Sequence, residues 1–302
     1  MRLAATLTAI IALATAAAAQ GEAPAADPVT VEVATLRVNI AGRQRMLSQR
    51  MTKAACLGAV LGDATYADQR NAAYELFGHS DLALREGSED LGLPAERYNV
   101  VLGALREIDA EWAAYRRALA SIEEVDAPSM ALLDLDAMSL ELLRDMNAAV
   151  NTTARAYGSA GPQLPLALTI TVDVAGRQRM LTQKAVKEAC LMRVASDPQV
   201  QAQSLATTMS IFEASLAALQ QGFPDAGVLP EPNEAIADQL ALVAELYTPM
   251  QDLLLRARGG EVLSDTDLAE LSALSEPVLI EMNRAVGMYE DVDPAVVLGL
   301  LN

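Results

Sequence analysis

"AGRQRMLSQRMTKAACL" spans residues 41–57, and "AGRQRMLTQKAVKEACL" spans residues 175–191. Twelve of the 17 aligned positions are identical, at a constant offset of 134 residues. The matching continues beyond these segments. Phe77 pairs with Phe212 and Gly87 with Gly222 at an offset of 135. Pro94 pairs with Pro230, and "DMNAAV" (145–150) with "EMNRAV" (281–286), at 136. Small loop insertions produce such drifts. The chain is therefore an internal duplication whose copies share spacing over roughly 125 residues each, long enough for each to be a domain.

Composition indicates what the copies are made of. Hydrophobic residues make up 52% of the 302 residues but aromatics only 4%. A core built from Ala, Leu, Val and Met favours helices, since strands prefer β-branched and aromatic side chains. Each copy divides into four helical stretches. They are expected near 29–61, 65–91, 95–124 and 127–156, then near 166–196, 198–221, 231–259 and 264–289, with Gly- and Pro-containing breakers between them. Ser129, Ser196, Ser264 and Asp126 are candidate helix caps. Long amphipathic helices with short connections make an up-down bundle. The expected fold is all-α, two tandem four-helix bundles packed as an intrachain pseudo-dimer.

The ends and the joint carry their own signals. Residues 1–19 read as a signal peptide: Arg2, a short apolar run, then Ala17 to Ala19 before a cut at Gln20. That places the protein in the periplasm. Residues 20–28 are a polar Pro- and Ala-rich leader, expected to be disordered. Repeat 1 is expected over 29–157, a linker rich in Gly, Ser and Pro over 158–165, and repeat 2 over 166–302. No segment is long and apolar enough to span a bilayer, and no output domain is expected.

The formal net charge is −18, which argues against nucleic acid or an acidic membrane as a partner. Against that background the repeated segment stands out. Residues 41–57 hold Arg43, Arg45, Arg50 and Lys53 with no acid; residues 175–191 hold Arg177, Arg179, Lys184 and Lys187 with one, Glu188. A solvated basic helix face is the ordinary explanation of such a window, but a shared anion site explains the recurrence more directly. Wound as a helix, Ala41, Arg45, Gln49, Thr52 and Cys56 form one stripe, and Ala175, Arg179, Gln183, Val186 and Cys190 form its counterpart. Gly42 and Gly176 each weaken the helix by about 1 kcal/mol relative to Ala, a cost that suits close approach of a backbone or ligand.

"NIAGRQRMLSQRM" resembles the N-terminal ligand-sensing domain of type IV pili methyl-accepting chemotaxis transducers. That domain is similar in turn to the periplasmic sensor domain of nitrate/nitrite sensor kinases. The resemblance implies a four-helix bundle with the motif on its first helix. It also implies that two first helices pack about a twofold axis, with one arginine from each holding a single nitrate. Those arginines correspond to Arg45 and Arg179, and main-chain amides around the glycine correspond to Gly42 and Gly176. Guanidinium is planar and donates two parallel hydrogen bonds, which suits a planar trigonal anion. A tandem duplication would supply both halves of such a site in one chain. The second copy departs from the first in Lys184 for Arg50 and Ala185 for Met51.

The expected function is binding or sensing of nitrate or nitrite, with a membrane sensor, chemoreceptor or transporter as partner. The alternative is a ligand-free helical module assisting a pilus or chemoreceptor assembly. His79 is the only histidine and reads as a surface residue. Met46, Met51 and Met180 read as core filler. No catalytic set, metal or cofactor is expected. Cys56 and Cys190 are the only cysteines, each 11 residues after its arginine. Eleven residues make about three helical turns, so each cysteine shares its arginine's face. If the helices face each other there too, a disulfide can form; two free buried thiols are the alternative.

Overall fold

The computed structural model describes residues 29–122, 129–158 and 166–300. The expected signal peptide, the leader, all but the first linker residue and the Asp126 cap lie outside them. Ten α-helices follow in order: α1 Val31–Leu61, α2 Thr65–Glu86, α3 Asn99–Glu107, α4 Asp109–Ser121, α5 Ser129–Gly158, α6 Leu166–Leu191, α7 Pro198–Gln221, α8 Glu234–Arg258, α9 Asp265–Glu290 and α10 Pro294–Leu300. Among the described residues, β pairing is limited to the bridges Ser88–Leu93 and Phe223–Val228. The fold is all-α.

Helix ends follow local chemistry. The Thr30 side chain accepts from the Val33 N–H, and α1 stops at Gly62, whose φ of 67° suits glycine. Ser264 starts α9 with a reciprocal capping box to Asp267. Ser196 does not cap α7; Asp197 does, accepting from the Gln199 N–H, with Pro198 at the first helical position.

In the first copy three departures from expectation have a visible reason. The second helix ends at Glu86, not 91, because Gly87 turns at φ 85° and a Cβ there would lie 2.6 Å from the Ala95 nitrogen. The third helix starts at Asn99, not 95. Buried Glu96 is drawn instead to the N–H groups of Arg97 and Tyr98, the Tyr157 hydroxyl and the Arg37 guanidinium. That helix also breaks at Ile108. Arg85 donates to the Leu105 carbonyl at 2.7 Å and pairs with Asp109, so it satisfies the group that the break exposes. In the second copy the first helix ends at Leu191 rather than 196, α8 starts at Glu234 rather than 231, and α10 adds a short helix with no counterpart in the pattern.

The packing places α1 and α6 at the centre. Their mutual contact is the most extensive in the molecule; α2 and α5 flank α1, and α7 and α9 flank α6. The two bundles therefore share one interior. From Gln44 to Leu57 every residue but Arg50 is buried, and from Gln178 to Leu191 every residue but Lys184. A helix buried all round is normally apolar. These two instead bury Arg45, Gln49, Lys53, Arg179, Gln183 and Lys187. The solvated-face explanation of the basic window therefore fails. Buried polar groups require partners, and their partners define the site. Met46, Met51 and Met180 are core residues, and His79 is exposed.

Candidate functional site

Arg45 and Arg179 meet across the α1–α6 contact, each only 1% exposed. A Cβ built on Gly42 would lie 3.1 Å from Nη2 of Arg45 and 3.9 Å from Nη2 of Arg179; for Gly176 the same distances hold with the arginines exchanged. The two guanidinium groups are thus related by a pseudo-twofold axis, and both glycines contribute space. Each arginine also folds back so that its Nε reaches the glycine carbonyl one turn earlier, at 3.5 Å for Gly42 and 3.4 Å for Gly176. Both glycines lie inside unbroken helices, where main-chain N–H groups belong to the helical ladder.

The remaining partners repeat the symmetry and then break it. Nη1 of Arg45 donates to Asn147 Oδ1 at 3.0 Å, and Nη1 of Arg179 to Asn283 Oδ1 at 2.6 Å. Both asparagines lie in the repeated "DMNAAV"/"EMNRAV" segments, on α5 and α9. Each Nη2 crosses to the opposite copy. Arg45 reaches Asp173 Oδ1 at 2.6 Å, whereas Arg179 reaches Asn39 Oδ1 at 2.6 Å. Asn39 and Asp173 are equivalent positions at the offset of 134. One arginine is therefore neutralised by a carboxylate, and the other meets only an amide. Asp173 also pairs with Arg177 at 2.9 Å.

Electrostatics follow that difference. Burial pushes Arg179 down to about 9, the charges of Arg43 and Arg45 push the same way, and the Glu290 carboxylate opposes them only in part. Burial lowers Arg45 as well, but the Asp173 carboxylate opposes the shift. Burial alone would raise Asp173; Arg45 and Arg177 overcome it and hold the carboxyl below its usual range. Among the described residues, Arg179 is a buried cation with no ion-pair partner.

One to two turns further along lies a second polar layer. Lys53 pairs with Glu276 at 2.8 Å, and Arg50 makes two bonds to the same carboxylate. Lys187 pairs with Asp136 at 2.5 Å and donates to Gln49 Oε1 at 2.6 Å. Each buried lysine is held by an acid of the opposite copy. Burial lowers Lys53 to about 8 despite Glu276. At the far end of the stripe Cys56 and Cys190 form a disulfide, with Cα atoms 6.2 Å apart. The two first helices therefore stay side by side for three turns.

Of the residues singled out from the pattern, the structure brings Arg45, Arg179, Gly42 and Gly176 together at one point and Cys56 and Cys190 at another. Arg43 stands apart, donating to Ser80 Oγ at 2.8 Å. The pattern alone missed Asn39, Asp173, Asn147, Asn283, Glu276 and Asp136. Only the two repeated asparagines carried a signal, their position in a matched segment. No group of residues suited to a metal occurs among the described residues, and no described helix is long and apolar enough to cross a membrane.

A family model described as type IV pili methyl-accepting chemotaxis transducer N-term matches residues 32–135 and again residues 169–274. The methyl-accepting chemotaxis protein McpN of Pseudomonas aeruginosa is 34% identical over 119 residues, which cover 39% of this chain and 21% of that relative. The chain thus matches about a fifth of that relative's length. Domains of this kind are sensing and interaction modules of chemoreceptors, not catalysts.

Proposed function

The chain belongs to the family of type IV pili methyl-accepting chemotaxis transducer N-terminal domains, which it carries twice, and from that premise we propose that it binds nitrate or nitrite between Arg45 and Arg179 and reports the anion to a chemoreceptor-type membrane partner from the periplasm. One observation carries this reading. Two buried guanidinium groups face each other across a pseudo-twofold axis, and Arg179 hydrogen-bonds only to neutral amide oxygens, with Glu290 acting on it from a distance and no carboxylate bonded to it. A buried unpaired charge is costly. An anion accepting from both arginines relieves that cost and the repulsion between them. It also ties α1 to α6, so occupancy can bias how the two helices sit.

The asymmetry assigns roles. Arg179 is the primary contact, because Arg45 already holds Asp173. The Asp173 carboxylate is an internal competitor at one edge of the anion seat. A planar anion with three acceptor oxygens suits the two planar donor groups better than a spherical halide does. Calorimetric titration with nitrate, nitrite, sulfate and chloride tests the proposal. Saturable heat with nitrate or nitrite, lost in Arg179→Ala, is the expected result. Equal binding by wild type and Arg179→Ala overturns it.

A further inference from the structure

A cleft of about 340 Å³ opens beside the arginine pair, between α5 of the first copy and α6 with the Phe223–Val228 turn of the second. Its polar lining is Asn151, Arg155, Asp173 and Arg177; its apolar wall includes Ile170, Val174 and Val228. The internal duplication supplies a control for what this cleft lacks. At the offset of 136 that aligns the last helices, Ala154 stands where the other copy has Glu290, and Arg155 where it has Asp291.

In that other copy Glu290 is a half-buried carboxylate on which Asn39, Arg43, the equivalent of Arg177, and Arg179 all act. There Arg43 has the Glu290 carboxylate acting on it. The cleft instead sets Arg155 and Arg177 against Asp173 alone, and Asp173 is shared with Arg45. Three further facts point to an anionic occupant. Arg155 is exposed and makes no ion pair among the described residues. Nε of Arg177 is buried without a hydrogen-bond partner, as is Nε of its equivalent Arg43, so neither guanidinium is saturated by its own surroundings. Ala154 lines the cleft with a single methyl where the other copy has the longer Glu290 side chain.

We infer that this cleft is a second ligand site, for a small carboxylate with a compact apolar body. The carboxylate lies between Arg155 and Arg177, taking the place of Glu290 in the other copy, and the body packs on Ile170, Val174 and Val228. The volume lies at the lower end of small-molecule sites, which excludes long acyl chains. The two sites touch through Asp173. A carboxylate on Arg177 competes for the guanidinium that helps hold Asp173, so its binding is coupled to nitrate at the arginine pair.

Benzoate is the probe, with benzyl alcohol as its uncharged counterpart, titrated calorimetrically into the chain with and without saturating nitrate. Saturable benzoate binding that persists with nitrate bound, with no binding of benzyl alcohol, is expected. Arg155→Ala, an exposed substitution, should weaken benzoate roughly tenfold or more and leave nitrate binding unchanged. Ala154→Glu, which restores the internal carboxylate, should abolish benzoate binding. No benzoate binding by the wild type, or wild-type affinity in both variants, overturns the inference. So does benzoate binding that nitrate displaces completely and Arg179→Ala removes, because the carboxylate then sits at the arginine pair. Failure of nitrate to bind while benzoate binds as described would sink the proposed function and leave this site standing.

Discussion

Replacing Asp173 with Asn separates the internal carboxylate from the rest of the anion seat. The substitution keeps an oxygen where Oδ1 now lies 2.6 Å from Arg45, as Asn39 already presents one to Arg179 at the same distance. The bond to Arg45 is therefore conserved, while the charge and the Oδ2 acceptor that Arg177 uses at 2.9 Å are removed. At an effective dielectric of about 20, unit charges about 4 Å apart interact by about 4 kcal/mol, and breaking a buried ion pair costs about 3–5 kcal/mol. The retained hydrogen bond places the expected loss near the lower figure, about 3 kcal/mol in chloride-free buffer. Nitrate should then bind roughly tenfold tighter or more, since its competitor is gone and two uncompensated guanidinium groups await it. At nitrate about 100 times its dissociation constant, ligand binding alone returns about 2.7 kcal/mol. Urea unfolding with and without nitrate, read by circular dichroism, measures both numbers. A variant as stable as wild type without anion, or one that binds nitrate more weakly, would refute the competitor role of Asp173.

Arg45→Ala and Arg179→Ala should each remove most nitrate binding, a loss of about 1.5–3 kcal/mol or more per guanidinium, while Arg43→Ala, whose side chain turns to Ser80, should matter less; calorimetry ranks them. Nitrate affinity should be flat from about pH 6 to 8 and fall above about pH 9, where Arg179, lowered by burial to about 9, loses its proton; unchanged affinity at pH 10 would exclude Arg179 as the primary contact. The sign for stability is opposite: lowered folded-state values for Lys53 and Arg179 mean that the unfolded chain binds more protons, so nitrate-free stability should rise as pH passes from about 8 toward 10. Cys56 and Cys190 close a loop of 134 residues, so Cys56→Ala with Cys190→Ala should lower stability by up to about 4–5 kcal/mol on the chain-entropy model; two free thiols per chain in non-reducing mass analysis would contradict the bond.

The repeat itself was legible because duplication leaves matched residues at matched spacing, whatever the surroundings do. From it followed the equivalence of Arg45 with Arg179 and of Cys56 with Cys190; the all-α class came from composition and helical periodicity, and the facing of the two first helices at the arginines from the family resemblance. Helix bounds were legible where a capping residue acts on its own neighbours, as Ser264 does. They were not where a distant side chain decides, as when Arg85 stabilises the break at Ile108 or Arg37 and Tyr157 draw Glu96 out of a helix. The charge balance of the site was hidden for the same reason. Asn39 and Asp173 differ by one atom type in the sequence, and nothing local says that each faces the other copy's arginine. Neutralisation is a property of distance through space. Only the packing of α1 on α6 determined that Arg45 bonds a carboxylate while Arg179 bonds only amides.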